Sequence, residues 1–190
     1  MKSPLCFLVE PVGGKLYSST RENGLVVSTS KEDHTATNRF AVVKSTPIGY
    51  SGPIVEGDVV MVHHNTFRKY FDIRGKEVYG PAHFRDTLFL VEDVFLYKRD
   101  GEMRCVDPYC LVKPLRIDGK DMMQAAEKER PLLGEMVYSN SELESMGVFD
   151  GDMVAFTPDS EYEFLVDGER LYRMFTRNIC VSLCQKTSQK

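Results

Sequence analysis

The chain of 190 residues has no tryptophan and only four histidines. It also lacks a large excess of charge of one sign: 24 Lys and Arg stand against 28 Asp and Glu, a net charge of -4. A weakly acidic chain gains no general attraction to a polyanion, so no nucleic-acid partner is expected. No apolar run approaches the roughly 20 residues that a helix needs to cross a bilayer, so no membrane partner is expected either. The first apolar stretch, Leu5 to Val9, is too short for a signal-peptide core and reads as a strand. Five cysteines are an odd number, which does not suggest a secreted disulfide framework and implies a reducing, cytoplasmic setting. Gly-x-Ser-x-Gly, Walker and His-Glu-x-x-His motifs are absent, and with them three common signatures of catalysis.

What the chain does have is a repeat. Gly57-Asp58-Val59-Val60 is followed by Tyr70-Phe71-Asp72-Ile73-Arg74-Gly75-Lys76-Glu77-Val78-Tyr79. Gly151-Asp152-Met153-Val154 is followed by Glu163-Phe164-Leu165-Val166-Asp167-Gly168-Glu169-Arg170-Leu171-Tyr172. The spacing from Asp58 to Gly75 is 17 residues and from Asp152 to Gly168 is 16. A repeat of this length points to a duplicated domain rather than a solenoid.

Short runs rich in Val, Phe, Tyr and Leu, cut by Gly, Pro, Asn and Asp, predict strands in both copies. In copy one these are Cys6 to Pro11, Phe40 to Lys44 and Asp58 to His63. A hairpin at Arg74-Gly75 and a closing pair around Glu92-Asp93 follow. In copy two they are Tyr109 to Pro114, Gly134 to Tyr138 and Gly151 to Phe156, then a hairpin at Asp167-Gly168 and a closing pair around Thr176 to Asn178. Lys98 to Arg104 reads as a linker, and only Lys120 to Glu129 has helical composition, ending before Pro131. The expected domains are residues 1–99 and 104–184, with 185–190 as a polar tail. So many short strands predict an all-β protein of two small closed barrels, an arrangement that removes exposed edges.

The copies differ in two places. From Pro11 to Asp58 is 47 residues, against 38 from Pro114 to Asp152. The extra length, about residues 16–38, is small, polar or charged around one aliphatic run, Leu25-Val26-Val27. Such a segment buries little apolar surface and is expected to be mobile. The run itself reads either as a strand of the barrel or as a free apolar tip. Copy one also carries Gly80 to Thr87 between its hairpin and closing pair, with no counterpart in copy two.

In this order and spacing, each copy resembles a GroES-like co-chaperonin, the ring-shaped lid of a chaperonin. Gly24-Leu25-Val26-Val27 stands where that family carries its mobile-loop tip, Gly57-Asp58-Val59-Val60 at its Gly-Asp strand, and Leu88 to Tyr97 at its closing pair with an acidic turn. The resemblance implies two tandem GroES-like β-barrels with no catalytic activity, no cofactor and no bound metal. It further implies a homo-oligomeric ring that caps a GroEL-like chaperonin. Gly24, Leu25, Val26 and Val27 would bind the chaperonin's apical domains. Copy two departs from the pattern. Its corresponding segment, Ile117 to Arg130, has Met122-Met123 in place of a Gly-aliphatic tip. The stretch from Ser45 to Glu56 is short and lacks a roof hairpin. A structural assembly module, such as a virion component, is the alternative.

Other chemistry has less to stand on. His63 and His64 are neighbours on a predicted strand and would point to opposite faces, with His83 as a third imidazole. Cys105, Cys110, Cys180 and Cys184 lack CxxC spacing; Cys110 and Cys180 read as core thiols. Phe67 to Phe71 is a basic-aromatic cluster that suits a single-strand platform, though alternating hairpin residues explain it as well.

Overall fold

A computed structural model describes residues 1–14, 16, 19–22, 25–29, 38–116, 129–166 and 168–183. The chain divides into two compact units, Met1–Met103 and Arg104–Lys190. Both are built mainly of strands, as an all-β chain requires.

The first unit contains β1 (Phe7–Pro11), β2 (Ser19–Glu22), β3 (Leu25–Thr29), β4 (Phe40–Ser45), β5 (Val59–Val62) and β6 (Lys69–Phe71). It continues with β7 (Glu77–Tyr79), β8 (His83–Arg85), β9 (Leu88–Val91) and β10 (Val94–Arg99). β11 (Glu102–Cys105) begins in the first unit and crosses its boundary at Met103. The main sheet runs β11-β10-β5-β4-β1-β9-β8, while β2-β3 and β6-β7 form separate two-stranded sheets. The second unit contains β12 (Tyr109–Arg116), β13 (Glu129–Tyr138), α1 (Ser141–Ser145), β14 (Met153–Phe156), β15 (Tyr162–Val166), β16 (Glu169–Phe175) and β17 (Ile179–Leu183). Its sheet runs β15-β16-β12-β13-β14-β17.

The duplication is visible in the pairing. β10-β5-β4-β1-β9 and β17-β14-β13-β12-β16 are the same five-strand order built from corresponding segments. Val9 lies opposite Val43 and Phe89; Val112 lies opposite Met136 and Tyr172. Val9, Val43, Val60 and Val91 fill the first core, and Val112, Met136, Val154 and Met174 take the equivalent places in the second. Alternate strand residues point to one face, so register alone places these side chains together.

Neither sheet closes on itself through hydrogen bonds among the described residues, in contrast to the closed barrels expected above. Both must nevertheless curl. β9 and β10 are consecutive in sequence, yet each flanks the opposite side of the five-strand order. Four strand spacings in a flat sheet would separate them by about 19 Å. Only Glu92 and Asp93 join them, a link that spans at most about 11 Å. The Thr176–Asn178 turn imposes the same constraint on β16 and β17.

The boundary between the two units, Met103/Arg104, falls within Lys98–Arg104, the segment expected to link them; inside it Asp100 (φ 52°) and Gly101 (φ 90°) form a two-residue turn between β10 and β11. Both φ values are positive, the geometry that an Asp-Gly hairpin favours. Of the predicted helix, Glu129 lies in β13 and 120–128 lie outside the described residues. The helix is instead α1, capped by Asn140, whose Oδ1 accepts the Leu143 amide at 2.8 Å. The Gly80–Thr87 insertion turns back as β8 beside β9 and leaves Phe84 exposed. In the second unit β16 runs unbroken from its hairpin into the main sheet.

Candidate functional site

The segment singled out by the sequence leaves and re-enters the first sheet at one place. Pro11 at the end of β1 lies opposite Ala41 in β4. Between them β2 and β3 form an antiparallel pair, Ser19 with Thr29, Thr20 with Ser28, Arg21 with Val26 and Glu22 with Leu25, with a bulge at Thr20/Arg21. Leu25, Val26 and Val27 all belong to β3; Gly24 lies outside the described residues. The run is thus a strand, but one of a separate hairpin that, among the described residues, is paired to no strand of the main sheet. In the second unit the equivalent root is Pro114 opposite Gly134, and pairing continues to Arg116 opposite Glu129. The segment with Met122 and Met123 lies outside the described residues.

The Gly-Asp motif sets the corner beside this root. Gly57 (φ 96°) and Gly151 (φ 89°) take a left-handed conformation that a side chain would strain. The Gly57 amide donates to the Val43 carbonyl at 2.8 Å, and the Val43 amide donates to the Asp58 carbonyl at 2.9 Å. Gly151, Met136 and Asp152 repeat this at 2.7 and 2.8 Å. Each aspartate carboxylate then accepts an amide three residues upstream: Val55 to Asp58 at 2.8 Å and Phe149 to Asp152 at 2.9 Å. The motif therefore serves the fold in both copies.

Among the described residues Asp58 alone of the two has a further partner. Arg99 donates through Nε to Oδ1 at 2.8 Å and through Nη2 to Oδ2 at 2.6 Å, and also reaches the Pro53 carbonyl at 2.7 Å. The paired guanidinium holds the buried Asp58 carboxyl below its ordinary range, against the opposing effect of burial. The signal was weak in sequence, because 41 residues separate the partners.

The histidines fall differently from expectation. β5 ends at Val62, so His63 and His64 escape strand alternation and their rings lie 4.1 Å apart. His83 does not join them: it stacks on Tyr79 at 3.9 Å, and its Nε2 contacts the Asp86 carbonyl at 3.1 Å. No metal-ligand cluster of three or more His, Cys, Asp or Glu occurs among the described residues. A cleft of about 410 Å³ beside His63 also takes in Cys6, Thr66, Glu92 and Asp93.

Cys6, Cys105, Cys110 and Cys180 are free thiols. Burial pushes the Cys105 thiol well up and the Cys110 thiol to about 12, which keeps both protonated and poorly nucleophilic. Cys180, expected in the core, is exposed on the edge strand β17.

A polar network occupies the second unit near its loop root. Arg170 bridges Glu129 at 2.6 Å and Glu163 at 2.8 Å, while Tyr172 Oη donates to Glu129 at 2.6 Å. Burial and the Glu129 carboxylate raise the Tyr172 hydroxyl to about 12. Such a network ties β13 to the β15–β16 hairpin. Compared with protein families and with curated proteins, the chain matches no family model and no curated sequence.

Proposed function

We propose that this chain is a co-chaperonin built of two tandem GroES-like barrel units that caps a chaperonin and helps enclose a folding protein. It has no catalytic role of its own; ATP binding and hydrolysis belong to the chaperonin. It works in the cytoplasm, as a homo-oligomeric ring, with Gly24, Leu25, Val26 and Val27 as the chaperonin-binding tip.

The observation that carries this reading is the β2–β3 hairpin. It is inserted between adjacent strands β1 and β4, holds the aliphatic run in β3 and, among the described residues, is hydrogen-bonded to neither edge of the main sheet. A hairpin that contributes no strand to the sheet is not explained by the fold around it. Two-stranded hairpins are marginal by themselves in water and gain stability by packing on another surface.

The energetics favour a ring. Burying one Leu and two Val is worth about 5–8 kcal/mol. Ordering the tip backbone costs about 1–2 kcal/mol per residue, so fixing five residues nearly cancels the gain. A single tip binds weakly and releases readily. Several tips on one ring, presented together, bind tightly.

Nucleotide-dependent capture by a purified chaperonin tests the reading. Capture in the ATP-bound state, and release when nucleotide is removed, is the expected result. Failure in every nucleotide state turns attention to a structural assembly module. That second reading has an observation of its own: Phe71 and Ile73 are 64% and 103% exposed on a hairpin that the fold does not oblige to be apolar.

A further inference from the structure

We propose that the basic, aromatic β6–β7 hairpin of one copy docks on the acidic surface around α1 of a second copy of this chain. The two units share one strand order, so a contrast between their equivalent segments is not imposed by the fold. Charge is such a contrast. The hairpin segment from Arg68 to Tyr79 carries Arg68, Lys69, Arg74 and Lys76 against Asp72 and Glu77. The equivalent segment from Glu161 to Tyr172 carries Glu161, Glu163, Asp167 and Glu169 against Arg170. Between β13 and β14 lie Glu142, Glu144, Asp150 and Asp152, with no Lys or Arg from Ser139 to Thr157. Between β4 and β5 the equivalent stretch carries only Glu56 and Asp58, which match Asp150 and Asp152, so Glu142 and Glu144 are the charges that the second unit adds.

Local contacts sharpen the contrast. Asp72 is occupied by the amides of Arg74 and Lys76 at 2.8 and 2.9 Å, and Glu77 by Lys69 at 3.1 Å. The side chains of Arg74 and Lys76 are exposed and form no ion pair among the described residues. On the other surface Glu142 and Glu144 are exposed, and their carboxylates likewise form no ion pair among the described residues. Each charged set borders exposed apolar side chains: Phe71 and Ile73 on the hairpin, Met146 and Phe149 beside α1. An apolar centre with a charged rim is the anatomy of a protein interface. Opposite rims on two such patches select each other and reject like with like. Each copy carries one patch of either kind, so every copy can both give and receive a hairpin. The contact repeats around a ring or closes reciprocally in a dimer.

This inference stands apart from the co-chaperonin reading, because assembly is measured with no chaperonin present. Sedimentation velocity of the full chain over a concentration series is the test. The native chain is expected to assemble. R74E/K76E and E142K/E144K are each expected to raise the midpoint concentration for assembly by about ten-fold or more. An equimolar mixture of the two variants should restore assembly, since each reversed patch then meets its complement. All four positions are exposed, and far-ultraviolet circular dichroism checks the fold. Should a reversal unfold the chain, R74Q/K76Q and E142Q/E144Q are read in its place, with the same direction expected. A native chain that stays monomeric, variants that assemble as the native chain does, or a mixture that fails to recover would each overturn the proposal. So would a monomer that instead binds anionic vesicles or a single-stranded oligonucleotide through the hairpin. Assembly without chaperonin capture would remove the co-chaperonin reading and leave this one in place.

Discussion

Asp58 and Asp152 hold the same position in two different sheets, each accepting the amide three residues upstream, but only Asp58 is clamped by an arginine. Arg99 follows from the last turn of strand β10 into the Asp100-Gly101 hairpin. At the end of β17 the chain continues from Leu183 to Cys184, and a thiol cannot replace a guanidinium. Among the described residues, both corners are held by backbone hydrogen bonds and a carboxylate–amide bond, and the first has an ion pair in addition.

Asp58→Asn should cost roughly 1.5–3 kcal/mol, the range for a hydrogen bond to a charged group, and Asp152→Asn less than about 1.5 kcal/mol. Urea unfolding of the two variants checks this. Equal losses would mean that Arg99 contributes nothing at the first corner.

The same contact makes a pH prediction. Arg99 lowers the folded-state pKa of Asp58 below the ordinary value of 3.8. A depressed carboxyl stabilises the folded state fully above its unfolded pKa, and that contribution is lost as pH falls through the folded value. Thermal midpoints measured from pH 6 down to pH 2 should therefore fall more steeply below about pH 4 in the native chain than in Asp58→Asn.

Leu25→Asp and Val26→Asp should each abolish chaperonin capture while leaving the thermal midpoint of the chain nearly unchanged. An unpaired charge cannot enter an apolar groove, and among the described residues β3 contributes no hydrogen bond to the main sheet. Native affinity in both variants would remove the tip from the mechanism.

Amides of β2 and β3 should exchange with solvent much faster than those of β1 and β4, because a two-stranded hairpin opens without disturbing the sheet. Addition of a chaperonin and nucleotide should slow them. Hydrogen exchange followed by mass spectrometry reads both states.

A maleimide reagent should modify Cys6 and Cys180 in the folded chain and spare Cys105 and Cys110 until denaturant is added. The protonated, buried thiols lack both access and nucleophile. The experiment uses a Cys184→Ser background, and peptide mapping assigns the sites.

Much of the fold was legible because the chain repeats itself. A single Gly-Asp-aliphatic strand is a weak signal, but two of them in the same order matched segment to segment, and register then set the residue equivalences, Val9 with Val112 and Val43 with Met136. What the sequence hid was mostly local turn chemistry. Asp100-Gly101 is a strong hairpin signal that charged neighbours obscured within the linking segment. Asn140, followed by Glu142 and Glu144, is a helix start that the short length of α1 concealed. His63 and His64 came together because the strand stopped one residue earlier than its apolar pattern suggested. At the candidate site the aliphatic run was legible, whereas its pairing with Ser19–Glu22 was not, since nothing in Ser-Thr-Arg-Glu marks a partner strand.

The position of β1 has a consequence for how the protein is made. β1 leaves the ribosome before the other strands of its sheet, yet it lies in the interior of that sheet, with β4 on one side and β9 on the other. Leu8 cannot meet Leu90 until nearly the whole unit has been translated. β12 stands in the same relation to β16. Each half of the chain must therefore wait with an unpaired, apolar opening strand until its closing strands emerge, and pairing at such separation is slow. On this topology, a protein proposed to shelter the folding of others passes through a vulnerable nascent stage twice during its own synthesis.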